Sequence, residues 1–324
     1  MRCLVTGGKG FIGSHLVNCL KARGYFVRSV DIRDFSYLKT DEDEFKQLDL
    51  RIADNARIAV KGMDYIFSLA ANMGGVEFIS KVGAEVMHDS GLINLNILEA
   101  SRVGGVSRVF FSSSACVYPD YRQTVTNVEP LKEDYAIPAN PDTFYGWEKL
   151  FTEKLMEAYH RDYGLNIRIA RFHNIYGPMG TYKGGREKAP AALCRKVAQA
   201  EDGGSIEVWG DGKQTRSFLF IDDALEAILR LMDSGITEPL NIGSNQLISI
   251  SELADIIIKI SGKKITKTFN LSGPQGVRGR NADLLKIKQL LGWSPKIMYK
   301  EGLEKTYQWI ESMVDKEGHV HGCC

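Results

Sequence analysis

Thr6-Gly7-Gly8-Lys9-Gly10-Phe11-Ile12-Gly13 is the segment whose reading decides the fold. It follows a β-branched run, Arg2–Thr6, and opens an amphipathic stretch, Phe11–Arg23. Glycines at this spacing let a strand turn tightly into a helix. Without Cβ atoms the backbone can approach a pyrophosphate, whose charge meets the helix N-terminus. Three glycines alone also suit a plain turn. Their place between strand and helix favours a dinucleotide, held by Gly7, Gly10, Phe11, Ile12 and Gly13.

The next strand, Phe26–Asp31, ends on an acid. Asp31 can accept hydrogen bonds from ribose hydroxyls and would repel a 2′-phosphate, which favours NAD. Arg33 leaves NADP open, and a solvated turn acid is the bland alternative. Asp49 and Leu50 suit the adenine edge. Leu69, Ala70 and Ala71 close the strand Tyr65–Leu69 beside the cofactor.

Strand candidates Arg108–Ser112 and Asn166–Arg171 continue the pattern, with helices over Phe11–Arg23, Glu85–Val103 and Tyr145–Tyr163 between them. This order predicts an α/β fold, a Rossmann-type doubly wound parallel sheet in residues 1–173. After Tyr176-Gly177-Pro178 the pattern changes to a smaller mixed α/β substrate lobe, 174–324. Its expected elements are helices at Pro190–Ala200, Asp222–Met232, Ser249–Ile260, Ala282–Leu291 and Glu301–Val314, and strands at Ile206–Trp209 and Pro239–Ile242. The part from about 215 to 244 is expected to pack back on the first sheet.

With 41 basic and 40 acidic residues the net charge is +1, which argues against nucleic acid as a partner. The six cysteines show neither zinc nor disulfide spacing, as expected for a reducing cytoplasm. No apolar run approaches a membrane span. The terminal Gly-His-Val-His-Gly-Cys-Cys resembles a metal tail or lipidation site only superficially, and a frayed terminus is the expectation.

Tyr145-Gly146-Trp147-Glu148-Lys149 places Tyr145 and Lys149 on one helical face. There a lysine can lower the phenol pKa for proton transfer, although an exposed helix face is the default for so common a pattern. Ser112-Ser113-Ser114 upstream supplies hydroxyls at a strand end.

Together these motifs, with Asn174-Ile175-Tyr176-Gly177-Pro178 and Arg216-Ser217-Phe218, resemble the extended short-chain dehydrogenases/reductases that act on sugar nucleotides. The likeness covers essentially the whole chain. It implies that Ser114, Tyr145 and Lys149 oxidise a sugar carbon, usually C4, with NAD. Further stretches are similar to the GDP-mannose 3,5-epimerases. They are Met73-Gly74-Gly75, Arg171–Pro178, Lys183–Pro190, Gln214–Phe218 and Gly276–Asn281. That resemblance implies Cys116 and Lys188 as an acid/base pair. It also implies a substrate site of Met73, Gly74, Gly75, Ser114, Cys116, Asn174, Glu187, Lys188, Ala189, Lys196, Gln214, Arg216 and Arg278, with Arg280 as an alternative to Arg278. GDP-mannose is the implied substrate and a homodimer through the helices near 85–103 and 145–163 the implied assembly. Two positions depart from the pattern: Asn72 stands where an acid is expected, and Gly13-Ser14 where Ala-Ser is. For an isolated cysteine a buried thiol is the usual reading. Alternatives are a single-centre epimerase, a 4,6-dehydratase, or a non-catalytic NAD-binding scaffold.

Overall fold

The computed structural model describes residues 1–321. Seven strands form one parallel sheet: β1 (Arg2–Thr6), β2 (Phe26–Asp31), β3 (Glu44–Gln47), β4 (Tyr65–Ser68), β5 (Arg108–Ser114), β6 (Ile167–Phe172) and, much later, β11 (Leu240–Ile242). Their order is β11-β6-β5-β4-β1-β2-β3, the doubly wound arrangement in which direction reverses beside β1. Helices α1 (Phe11–Ala22), α2 (Ala53–Val60), α3 (Val76–Lys81), α4 (Gly83–Val103) and α5 (Phe144–Tyr163) cross between the strands.

The rest is smaller and mixed. It contains β7 (Ile175–Tyr176), α6 (Ala189–Gln199), β8 (Ser205–Trp209), β9 (Thr215–Ser217), β10 (Leu219–Phe220) and α7 (Ile221–Asp233). Then come β12 (Leu247–Ser249), α8 (Ile250–Ser261), β13 (Thr266–Asn270), β14 (Gly279–Arg280), α9 (Leu285–Leu291) and α10 (Tyr299–His321). These strands make three small sheets, β10-β7, β12-β9-β14 and β13-β8. Among the described residues no helix is long and apolar enough to cross a membrane.

Alternation along buried strands fills a core on each face. In β1, Cys3 and Val5 face one core with α1, α6 and α7, and Leu4 faces the other with α2, α4 and β6. The doubly wound sheet expected from the sequence is therefore present, but several boundaries differ. The strand β3 and helices α2 and α3 were not expected. Helix α9 begins at Leu285 rather than Ala282, because Ala282 bridges to Leu131 and the Asp283 carboxylate accepts the Leu285 amide at 2.9 Å. Helix α10 extends beyond the expected Val314 to His321, through part of the tail that was expected to be frayed. Residues 322–324, with both terminal cysteines, lie outside the described residues.

A buried ion pair locks the strands that carry the catalytic motifs. Arg171 of β6 meets Glu153 of α5 in a two-pronged contact of 2.7 and 2.9 Å, and their side chains are 5% and 0% exposed. Ser113 of β5 donates to the same carboxylate, and Arg171 Nη1 donates to the Glu133 carbonyl at 2.6 Å. Removing one partner strands the other charge without solvent, a loss of about 3–5 kcal/mol. Glu153→Gln is expected to destabilise by that amount, read as a lower urea midpoint with unchanged slope. A midpoint equal to the wild type would show that the pair does not hold these strands.

Candidate active site

A cleft of about 840 Å³ runs along the carboxyl edge of the sheet. One end is walled by Gly7, Gly10, Phe11, Ile12, Gly13, Asp31, Asp49 and Leu50, the middle by Leu69, Ala70, Ala71, Met73 and Gly74. Ser114, Tyr145, Lys149 and Lys188 wall the other end. All are residues that the sequence nominated, from eight separate stretches of chain.

At the catalytic end, β5 stops at Ser114 and a single 3-10 turn, Ala115–Val117, presents Cys116. The Ser114 hydroxyl accepts the Cys116 amide at 3.2 Å, capping that turn. Helix α5 presses directly on it. A Cβ on Gly146 would stand 2.1 Å from the Cys116 carbonyl oxygen, so only glycine beside Tyr145 lets helix and turn meet. Tyr145 packs with Cys116 and Met73, and its hydroxyl is hydrogen-bonded to Ser114.

Burial dominates at the Tyr145 phenol. Burial pushes the phenol well up, Cys116 and Glu148 add to this, and the Ser114 hydrogen bond opposes it. Lys149, 1% exposed, sits 4.6 Å from the Phe111 ring centroid and 5.5 Å from that of Tyr145. Burial pushes its ammonium down, against the pull of Glu148 and Glu153. Burial also lowers Lys188, with Cys116 near enough to oppose the shift. All three groups are thus driven toward their neutral forms.

The substrate residues implied by resemblance divide. Met73, Gly74, Ser114 and Lys188 line the cleft. Cys116 adjoins it through Tyr145. Gly75 instead caps α3 and abuts the Glu187 backbone. Asn174 adopts φ 42 in the turn between β6 and β7 and donates to the Ser217 carbonyl at 3.1 Å. Glu187 pairs with Arg195 at 3.0 Å, and Ala189 is the first residue of α6. Lys196 donates to the Glu207 carbonyl at 2.7 Å, and Gln214 to the Trp209 carbonyl at 2.8 Å.

Two arginines of one segment have different partners. Arg278 is bound two-pronged to Asp211 at 2.8 and 2.7 Å, away from Cys116. Arg280 reaches Cys116 Sγ at 3.3 Å and is held there by Asp142 at 3.0 Å and Gln123 at 2.5 Å. Arg216 lies beside Arg280 and donates to the Thr215 and Gln275 carbonyls, and burial lowers its guanidinium to about 9. Asp142 and Gln123 escaped the sequence reading, because they meet Arg280 only through contacts spanning 138 and 157 residues. Gly279 offered a local hint: a Cβ there would stand 2.2 Å from the Val125 carbonyl oxygen, so the segment is pressed into the fold.

Residues 3–243 match the model of the NAD dependent epimerase/dehydratase family. The chain belongs to this family. It is 47% identical over 319 residues to GDP-mannose 3,5-epimerase 1 of Oryza sativa subsp. japonica, covering 98% of this chain and 83% of that one. It is 46% identical to the GDP-mannose 3,5-epimerase of Arabidopsis thaliana, covering 98% and 84%. Among solved structures, the UDP-glucose 4-epimerase of Thermotoga maritima with UDP-glucose superposes with a TM-score of 0.85 at 29% identity, over 97% of this chain and all (100%) of that one.

The residues present fit the cofactor of the family. Gly7 has φ +68, its amide and that of Gly8 donate to the Val30 carbonyl at 2.8 and 3.2 Å, and the Gly10 amide donates to the Gly7 carbonyl at 3.0 Å. The first turn of α1 carries neither an acid nor a side-chain cap, which suits a pyrophosphate at its positive end. Asp31 is 8% exposed and is aimed by the amides of Lys9 and Arg33, both at 3.1 Å. Asp49 is paired with Arg51, which also reaches Asp89 at 3.0 Å.

A Cβ on Gly13 would stand 2.0 Å from the Gly7 carbonyl oxygen. A side chain larger than the alanine expected there, as in Gly13→Val, is therefore expected to displace the glycine turn and raise the dissociation constant for NAD about tenfold or more, some 1.4 kcal/mol or more. Titration calorimetry on a variant that keeps its melting temperature checks this. Unchanged affinity would show that the turn yields without harm to the cradle.

Proposed function

We propose that this chain converts GDP-D-mannose to GDP-L-galactose, with GDP-L-gulose as the product of C5 inversion alone. The observation that carries the reading is the placement of Cys116 and Lys188 at the catalytic end of the cleft, on separate elements about Tyr145. The similarity to GDP-mannose 3,5-epimerases over nearly the whole chain supports the substrate.

Bound NAD supplies the two-electron acceptor that makes C4 a ketone and gives the same electrons back. Tyr145 takes the C4 hydroxyl proton and later returns it, with Ser114 hydrogen-bonded to the same phenol. Lys149, beneath the Tyr145 ring, supplies positive charge when the phenol gives up its proton. A C4 ketone acidifies the protons on both C3 and C5. Inversion needs one group to remove a proton from one face and another to deliver one to the opposite face. Cys116 and Lys188 do this, and burial shifts Lys188 toward its neutral, basic form. Arg280, fixed by Asp142 and Gln123, holds the sulfur in place, and with Arg216 provides positive charge for the substrate. Arg278, engaged by Asp211, stays outside this set.

Simple 4-epimerisation would leave Cys116 and Lys188 without a task, and Ala115 stands where 4,6-dehydration needs an acid. Tyr145 and Lys149 are both retained, against a non-catalytic scaffold. The proposal includes two lobes, 1–173 and 174–324, with α7 and β11 completing the first; β11 pairs with β6. It also includes a cytoplasmic setting, supported by the free thiols of Cys3, Cys19, Cys116 and Cys194.

Cys116→Ser keeps the shape and loses basicity. In deuterated water it is expected to lower formation of the 3,5-inverted product about 100-fold or more, while the 4-keto sugar remains trappable with borohydride. Lys188→Ala is expected to do the same. Rapid inversion by either variant would refute the two-base assignment, and loss of the ketone as well would make these residues sugar-positioning groups.

A homodimer completes the proposal. Phe144, Trp147 and Phe151 on α5 are 62%, 40% and 52% exposed at spacings that share one helical face, and Leu95 of the adjoining α4 is 38% exposed. A second copy of the same surface would cover them. Sedimentation is expected to give twice the monomer mass, falling to one for Phe151→Lys. A monomeric wild type would remove the dimer and leave the chemistry untouched.

A further inference from the structure

Two loops meet across the cleft. One follows β4 through Asn72–Gly75 into α3, and the other, Lys183–Lys188, leads into α6. The Gly75 amide donates to the Arg186 carbonyl at 3.1 Å. A Cβ on Gly75 would stand 2.7 Å from the Glu187 carbonyl oxygen, so the two backbones touch with no side chain between them. Gly75 has φ −64, which any residue adopts. The glycine is therefore required by the close approach and not by its own backbone.

The Arg186 side chain reaches over the same loop. Its guanidinium stacks 3.8 Å from the Phe78 ring centroid, and its Nη1 reaches Asn72 Oδ1 at 3.3 Å and the Met73 carbonyl at 3.4 Å. Asn72 is anchored in turn, donating to Glu85 at 3.0 Å and Asp89 at 3.3 Å on α4. The amide that replaces the expected acid at 72 can bond the arginine through its oxygen and the two carboxylates through its nitrogen. An acid there could do only the first. Behind Arg186, Gly184 and Gly185 have φ of +91 and +82, so the chain arrives through two residues with little conformational restraint. Glu187 ties the loop to α6 through Arg195. Lys188 follows at once as the residue that caps α6.

We infer that Arg186 is a positioning residue, clasping the loop after β4 and so holding Lys188 in place opposite Cys116. The inference rests on the assignment of Lys188 as an acid/base group. Arg186 lines the same cleft, but its guanidinium is engaged by Phe78, Asn72 and Met73. It fixes the backbone two residues ahead of one that must meet a carbon-bound proton, where a shift on the order of 1 Å costs up to about 100-fold in rate.

The test uses the NAD-loaded protein with Arg186→Ala, Arg186→Lys and Gly75→Ala, followed by two readouts. Hydrogen exchange is expected to show the Gly75 amide about tenfold less protected in both alanine variants, with α5 unchanged. With GDP-mannose, kcat is expected to fall about tenfold or more while KM stays within about twofold. Arg186→Lys, which keeps a cation over Phe78, should recover part of kcat. Gly75→Ala should reproduce the loss with Arg186 intact, since its methyl group wedges the loops apart. Wild-type protection and kcat in Arg186→Ala would overturn the clasp, as would a KM rise at unchanged kcat, which would make Arg186 a substrate ligand. If the wild type proves inactive on GDP-mannose, the epimerase reading falls, and hydrogen exchange alone still decides whether the clasp exists.

Discussion

Glu153 has no exposed surface, yet two strands and a helix depend on its carboxylate. Burying a carboxylate is costly unless an opposite charge and further donors surround it, and here Arg171 supplies two hydrogen bonds and Ser113 a third. The geometry of that satisfaction is narrow. Arg171 lies on β6, Ser113 on β5 and Glu153 on α5, so any slip of one against the others leaves a charge unpaired. Ser114 is the next residue after Ser113. Tyr145, Lys149 and Glu153 are spaced by four along one face of α5. The interaction that fixes the register of the core therefore also fixes the separation of the catalytic hydroxyl, phenol and ammonium.

Around that anchor, burial acts alike on three groups of the site. It raises Tyr145 and lowers Lys149 and Lys188, shifting each toward its neutral form. Such groups exchange protons with a bound sugar without first shedding a hydration shell. Positive charge is retained by arginines, whose intrinsic basicity survives burial. Arg280 stays well in the charged range because Cys116 and Asp142 face it, while burial and the neighbouring Arg280 lower Arg216 to about 9.

The parts legible in the sequence were those in which local pattern and tertiary demand agree. The glycine turn, β1, β2, β4 to β6 and the Tyr145/Lys149 pair all announce themselves by spacing. The strand β3 does not. Glu-Phe-Lys-Gln is short and mostly polar, and it is a strand only because it hydrogen-bonds to β2 at the sheet edge. Arg278 and Arg280 illustrate a deeper limit. Two residues apart on an extended segment, they are expected on the same face, and they are told apart only by their distant partners Asp211 and Asp142. No local signal distinguishes them. The same holds for Gly75 and Gly146, whose need to be glycine comes from backbones far away in sequence.

Inverting a carbon centre sets a requirement that a single element of this fold cannot meet. The parallel sheet delivers Ser114, Cys116 and Tyr145 from its carboxyl edge, all rooted on one side of the cleft. A group for the opposite face of the sugar must come from a segment that crosses over. Lys188, the group proposed for that face, stands at the start of α6, whose body packs against α8 and α10. A loop rooted there is free to drift relative to the sheet unless something ties it back. The contacts of Gly75, Phe78 and Asn72 with residues 186 and 187 are such a tie, and they are made on the loop that extends from β4. Two-faced chemistry on a one-edged sheet thus needs a crossing segment and a fastening for it. Both are present in this chain, at either end of the stretch from Lys183 to Lys188.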